Sequence, residues 1–179
     1  LADTSLAGHI LGDSALAQIG ATSALYGLIT NFVFGLNNGF ALIVSRCFGA
    51  DNKTKLKQSV GCMVILSILF SAFLTAVFLL SRHFMLEILQ VPENTMQGAL
   101  SYITVILAGI PLMMTYNLEA SLLQAIGNSF TPLILLSFSS ILNIILDILF
   151  MKPLSMGVQG AAIATVLTQG ISAVLGAIY

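Results

Sequence analysis

Charged residues are scarce in this 179-residue sequence, where Asp, Glu, Lys and Arg make up only 7% of positions. Soluble domains carry about 25%. The few charges are also clustered, and none occurs in residues 14–45, 58–81, 94–118, 120–146 or 153–179. Each of these stretches exceeds the roughly 20 residues that cross a bilayer as a helix, and most lack the regular polar face of a soluble helix. The sequence therefore excludes a soluble domain and predicts an all-α, polytopic membrane helical bundle.

Other absences exclude further functional classes. The net charge of −1 provides no basic patch that could neutralise phosphates, which argues against a nucleic-acid partner. The two cysteines, Cys47 and Cys62, form no CxxC pair, so we predict two unpaired buried thiols rather than a metal site or a disulfide. Neither HExxH nor GxSxG is present, and no nucleophile–base pair can be identified. We therefore predict neither an enzyme nor a bound cofactor.

The hydrophobic stretches predict about five full transmembrane helices after the end of a first one. Residues 1–8 read as the last turns of that first helix, and the sequence starts without an initiator Met, so we interpret it as a piece of a longer protein. The full helices are predicted at 15–48, 58–80, 95–125, 132–151 and 157–179.

The connections between these helices follow from polar residues, Gly and Pro. Loops are predicted at 8–14 and 51–57. Residues 81–94 mix apolar and charged side chains, a pattern typical of a short interfacial helix. Pro111 predicts a kink in the fourth helix, and residues 127–132 predict a turn. Four basic residues then fall on one side of the membrane and two on the other, which favours the 51–57 loop as cytoplasmic.

Polar residues recur on one face of the fifth helix, inside an otherwise apolar stretch. Ser139, Asn143 and Asp147 are spaced by four and therefore share that face. An ionised Asp near the centre of a lipid-facing helix costs roughly 2.5–3.5 kcal/mol, so the face is expected to point toward protein or a water-filled cavity. The alternative for Asp147 is that it snorkels to the interface near Lys152.

Further polar side chains lie within the predicted spans. Thr165 and Gln169 share a face of the sixth helix, among small residues that let helices approach closely. Asn31 and Asn38 lie on a similar stripe of the second helix. Glu119 is a second membrane-embedded carboxylate, for which snorkelling is again the alternative. We list Asn31, Asn38, Glu119, Ser139 and Gln169 as candidates that line a cavity.

Five short motifs together resemble one transporter family. In order along the chain they are ADTSLAG at 2–8, FGA at 48–50, AIGNSFTP at 125–132, NIILDILF at 143–150 and GVQGAAIATVLTQG at 157–170. The sequence resembles the amino-terminal lobe of the multidrug and toxic compound extrusion (MATE) transporters along its whole length. The NxxxD segment followed by GVxGAAxAT is the most specific part of the resemblance.

The resemblance implies a fold and a function. It implies that residues 1–179 form a partial amino-terminal transmembrane lobe, from the end of helix 1 through helix 6, whose carboxy-terminal partner lobe is absent. It implies alternating access of two lobes in the cell membrane, with export of cationic or amphipathic small-molecule drugs in exchange for Na⁺ or H⁺. The residues that match the family's coupling site, and would hold such an ion, are Asp3, Asn143, Asp147 and Thr165.

Two other functions remain open at this point. A flippase of the same superfamily would move lipid-linked precursors, although such proteins tend to line the cavity with cationic side chains that this sequence lacks among its buried positions. A non-transporting structural bundle would not need the Asn–Asp stripe.

Overall fold

The computed structural model describes residues 2–154 and 156–178, apart from the side chains of Ala2, Asp3 and Ser5, and these residues form seven α-helices and no strand. In chain order the helices are α1 (Ala2–Leu11), α2 (Asp13–Gly49), α3 (Lys53–Ile88), α4 (Glu93–Ala108), α5 (Ile110–Ala125), α6 (Phe130–Met151) and α7 (Gly157–Ile178). The all-α membrane bundle predicted from the sequence is confirmed.

Four of these helices are long and apolar enough to cross a membrane by themselves: α2, α3, α6 and α7. A fifth span results if α4 and α5 are taken as one helix with a bend of 48°. This agrees with the predicted set of about five full spans.

The bend between α4 and α5 lies at Gly109, two residues before the predicted position at Pro111. Pro111 has no N–H to donate to the carbonyl of Leu107, and its ring crowds that carbonyl. The helix therefore bends between Leu107 and Pro111, at Gly109. Gly109 suits this place for a second reason: Val166 of α7 fills the space that a Cβ on residue 109 would need. The bend and the contact with α7 therefore depend on the same glycine.

The predicted loops at 8–14 and 51–57 are wrong in extent. Helix α1 continues to Leu11, and only Gly12 separates it from α2, with a φ of 86° that glycine adopts without strain. Helix α3 already begins at Lys53, because the side chain of Asn52 accepts a hydrogen bond from the N–H of Lys55 at 3.0 Å and caps the first turn.

The predicted interfacial helix at 81–94 is also wrong, because α3 runs without interruption to Ile88. Two polar side chains of this region support the helix: Nδ1 of His83 lies 3.0 Å from Oε1 of Glu87, one turn further along. The predicted burial of both thiols is wrong for Cys62, which is exposed, whereas Cys47 is half-buried; both are free.

The core of the lobe lies where α4 and α5 pack among α2, α3 and α7. Its fully buried side chains include Ile103, Ile106, Leu107, Ile110 and Met114 on both sides of the bend. Helices α6 and α7 form a close pair at one side of this core, and α1 contacts both of them. This pair carries the polar stripe predicted from the sequence.

Candidate functional site

Asp147 lies on the inward face of α6 and is fully buried, with 0% of its surface exposed. The opposite face of the helix is exposed through Ile141, Ile144, Ile145 and Ile148. Lys152, the proposed snorkelling neighbour, is exposed beyond the helix end. The structure therefore contradicts snorkelling for Asp147 and agrees with a carboxylate that points into the lobe.

Asn143 lies one turn before Asp147 and contacts α7. Its Nδ2 donates to Oγ1 of Thr165 at 3.4 Å, and that hydroxyl in turn donates to the carbonyl oxygen of Ala161 at 3.0 Å. Because the amide donates through Nδ2, its Oδ1 remains an acceptor. The amide of Asn143 on α6 is thus in contact with the hydroxyl of Thr165 on α7.

The close approach of α6 and α7 depends on a glycine. A Cβ added to Gly160 would lie 3.1 Å from the backbone carbon and the Cβ of Phe150, closer than most real Cβ contacts. Gly157 begins α7 with a φ of 59°, which few other residues adopt easily. The GVQG segment thus brings Thr165 within hydrogen-bonding range of Asn143, since small residues let helix backbones pack closely.

Asp3 belongs to α1, which contacts both α6 and α7. Its side chain lies outside the described residues, so its place in the coupling site stays a prediction. The described part of the candidate site consists of the carboxylate of Asp147, the amide of Asn143 and the hydroxyl of Thr165. These are hard oxygen donors of the kind that bind a proton or an alkali cation in transporters.

The asparagines of α2 differ in environment. Asn31 and Asn38 are exposed, and Asn31 borders a groove of about 560 Å³ with Gly35 and Gly39. Oδ1 of Asn38 accepts a hydrogen bond of 3.4 Å from Ser121 of α5. A cavity-lining role for both asparagines stays a prediction.

Sequence analysis missed Asn37, which is the fully buried asparagine of this helix. Its Nδ2 donates to the carbonyl oxygen of Val33 at 2.9 Å and contacts Sδ of Met114 at 3.3 Å. Two faces of α2 carry an Asn, one with Asn31 and Asn38 and one with Asn37, and the sequence alone does not say which face packs on α5.

The other predicted cavity residues lie further along the α6–α7 pair. Ser139 and Gln169 are half-buried, and so is Glu119 on α5. Glu119 is separate from the Asp147 site, because its carboxyl group packs against Gly176 near the other end of α7.

Positive charge is absent from the interior of the described lobe. All six Lys and Arg residues of the chain are exposed and lie at or near helix ends. None of the Lys and Arg residues therefore supplies a countercharge inside the described part of the lobe.

Comparison with known proteins gives a consistent result. The sequence model of the MatE family matches residues 1–149. The chain is 33% identical, over 178 residues, to a probable multidrug resistance protein, YpnP, of Bacillus subtilis, and this match covers 99% of the chain and 40% of that relative.

Solved structures also match the chain over almost its whole length. A crystal structure of MATE in the bent conformation matches with a TM-score of 0.93 at 26% identity, over 99% of this chain and 39% of that one. An inward-facing conformation of a multidrug resistance MATE family transporter matches with a TM-score of 0.92 at 26% identity, over 98% of this chain and 40% of that one. The chain thus spans about 40% of the length of these three proteins.

Proposed function

This chain belongs to the MatE family, and on that premise we propose that it forms the amino-terminal lobe of a secondary transporter that exports drugs in exchange for Na⁺ or H⁺. The relatives named above are described as multidrug resistance proteins. The membrane-spanning helices make the protein a multi-pass membrane protein, and the cell membrane is the proposed location.

One observation carries the proposal: Asp147 is fully buried one turn from Asn143, in a lobe whose basic residues are all exposed. An ionised carboxylate in that position is costly unless a proton or cation neutralises it. A group that changes charge when an ion arrives can bias which of two conformations is stable, because the ion binds one of them more tightly. Ion binding at Asp147 can therefore drive alternating access.

The other candidate residues fall into two groups in this proposal. Asn143 and Thr165 would contribute oxygen ligands to the coupling ion or stabilise the protonated carboxyl group, and Asp3 would complete the site from α1. Asn31 and Asn38, exposed on α2, would line the drug path together with the partner lobe. The proposal contains no catalytic step.

The substrates proposed are cationic or amphipathic small molecules. A lipid-linked phosphate substrate is disfavoured because no described Lys or Arg points into the lobe, and phosphate groups are usually bound by such side chains. A purely structural bundle would have no use for a buried Asp with an Asn and a Thr beside it.

The test uses the full-length transporter in lipid vesicles with an imposed Na⁺ or H⁺ gradient. Asp147→Asn keeps the size of the side chain and removes its titratable charge, so gradient-driven drug efflux should be lost while the protein still inserts. Asp51→Asn is the matched control, since Asp51 is exposed in the loop before α3 and has a φ of 50°, a conformation that Asn tolerates. Near-normal efflux by Asp147→Asn would refute the coupling role.

A further inference from the structure

A second carboxyl group is turned into the bundle at the contact between α5 and α7. Oε2 of Glu119 packs against Gly176 and occupies the space that a Cβ on residue 176 would need. Leu135 of α6 borders the same space. This oxygen is buried and has no hydrogen-bond partner among the described residues. Snorkelling, the alternative considered for Glu119, does not explain an oxygen that is buried against α7.

Two polar atoms lie on the side of α7 that Glu119 contacts. Oε1 of Gln169 and Oγ of Ser172 are buried without a hydrogen-bond partner among the described residues, and Ser172 is 0% exposed. They precede Gly176 by seven and four residues, spacings that share a helix face. Thr168, by contrast, donates to the carbonyl oxygen of Ala164 at 2.7 Å. Ser172 makes no such backbone bond, so its hydroxyl is available to a neighbouring group.

Glu119 makes no ion pair with the described residues. The helices that pack against α5 are α2, α3, α4, α6 and α7. Apart from Tyr116 on α5 itself, their titratable groups are Asp13, Tyr26, Arg46, Cys47, Lys53, Lys55, Lys57, Cys62, Arg82, His83, Glu87, Glu93, Tyr102 and Asp147. The charged ones other than Asp147 are exposed and lie near helix ends, and α7 has none.

We propose that Glu119 is a second proton-binding site of this lobe, beside the face of α7 that carries the buried oxygen atoms of Gln169 and Ser172. An ionised carboxylate is disfavoured in a low-dielectric position without a countercharge, and a bound proton removes the charge. A protonated carboxyl group is also a hydrogen-bond donor. The protonated form therefore suits a face that carries the amide oxygen of Gln169, an acceptor to which an ionised carboxylate could not donate.

This site is distinct from the Asp147 site. Thr165, which marks the level of Asn143, lies eleven residues before Gly176 on α7, a rise of about 16 Å at 1.5 Å per residue. Asp147 lies one turn from the end of α6, whereas Leu135, beside Glu119, lies near the start of α6. The two carboxyl groups thus occupy opposite ends of the α6–α7 pair. The inference goes beyond the proposed function because it concerns the protonation of Glu119 and requires neither drug transport nor Asp147.

The test records infrared spectra of the purified full-length protein in lipid nanodiscs as a function of pH. Near neutral pH, the carbonyl band of a protonated, buried carboxyl group should be present in the wild-type protein and in Glu93→Gln, an exposed control at the start of α4. This band should be lost in Glu119→Gln. Identical bands in wild-type and Glu119→Gln would overturn the proposal. A Glu119-dependent band that disappears when Na⁺ is added at constant pH would also overturn it, in favour of a cation site.

A second measurement needs no variant at Glu119. Hydrophobic carbodiimides react with protonated carboxyl groups inside membranes, so peptide mass spectrometry of the labelled wild-type protein should find the label on Glu119, with less label as the pH rises. The same labelling should persist in Asp147→Asn. Absence of label on Glu119 in a preparation whose other buried carboxyl groups are labelled would contradict the proposal, whatever the outcome for Asp147.

Discussion

Removal of one hydroxyl from the α6–α7 contact tests the candidate site at the level of a single hydrogen bond. Thr165→Val keeps the shape of a side chain that is 8% exposed and removes the Oγ1 atom that accepts from Asn143. The bond from Thr165 to the carbonyl oxygen of Ala161 is also lost, but that carbonyl can keep its place in the helical ladder. Of the two hydrogen bonds described for Thr165, the one whose loss leaves a group unpaired is therefore that from the Asn143 amide.

The expected magnitude follows from the burial of Asn143. An amide N–H left without a partner costs about 1–3 kcal/mol when buried. Asn143 is only half-buried, so we expect a decrease of about 1 kcal/mol in the free energy of unfolding, at the lower end of that range. If the hydroxyl is also a ligand, the loss of about 1.4 kcal/mol of binding raises the ion concentration for half-maximal stabilisation about tenfold.

The assay is thermal unfolding of the purified full-length protein over a series of Na⁺ concentrations and, separately, over a series of pH values without Na⁺. Thr168→Val is the matched control: Thr168 is 1% exposed on the same helix and donates only to the carbonyl oxygen of Ala164 among the contacts described. We expect ion-dependent stabilisation to weaken in Thr165→Val and to be unchanged in Thr168→Val. Equal ion dependence in the two variants would refute the assignment of the Thr165 hydroxyl to the site.

Two further predictions concern packing and topology. Gly160→Ala should lower the free energy of unfolding by about 1–3 kcal/mol, because the new Cβ meets the backbone of Phe150. Gly61→Ala, in open space on α3, is the control and should leave the free energy of unfolding unchanged or raise it by up to about 1 kcal/mol. Equal thermal stabilities of the two variants would contradict the packing argument. In intact cells, an impermeant thiol reagent should label Glu87→Cys but not Lys55→Cys, each in a protein without the two native cysteines. The reason is that four of the six basic residues lie on the side of Lys55, which favours that side as cytoplasmic. The reverse labelling would contradict this topology.

The sequence was sufficient to predict the helical spans and the inward face of α6. Uncharged stretches and the spacing of Asn143 and Asp147 are local features, and both survive in the structure. The continuity of α3 through Arg82 and Glu87 was missed because polar composition was interpreted as a break. Arg and Glu are good helix formers, and His83 and Glu87 pair along the helix.

Contacts between helices could not be predicted in the same way. The burial of Asn37 rather than Asn38 depends on a rotation of α2 by about 100°, the angle between successive residues of a helix. The contact of Glu119 with Gly176 depends on how α5, after the bend at Gly109, docks against α7. Neither the rotation nor the docking has a local sequence signal.

The central claim is that Asp147 binds the coupling ion, and direct ion binding tests it most directly. Purified full-length wild-type protein and Asp147→Asn would be compared by proton release on addition of Na⁺ and by binding of radioactive Na⁺, over a range of pH. The account predicts that the wild-type protein binds Na⁺ or exchanges a proton, and that Asp147→Asn loses this while its thermal stability without the ion remains close to the wild-type value. Unchanged ion binding by Asp147→Asn would contradict the account.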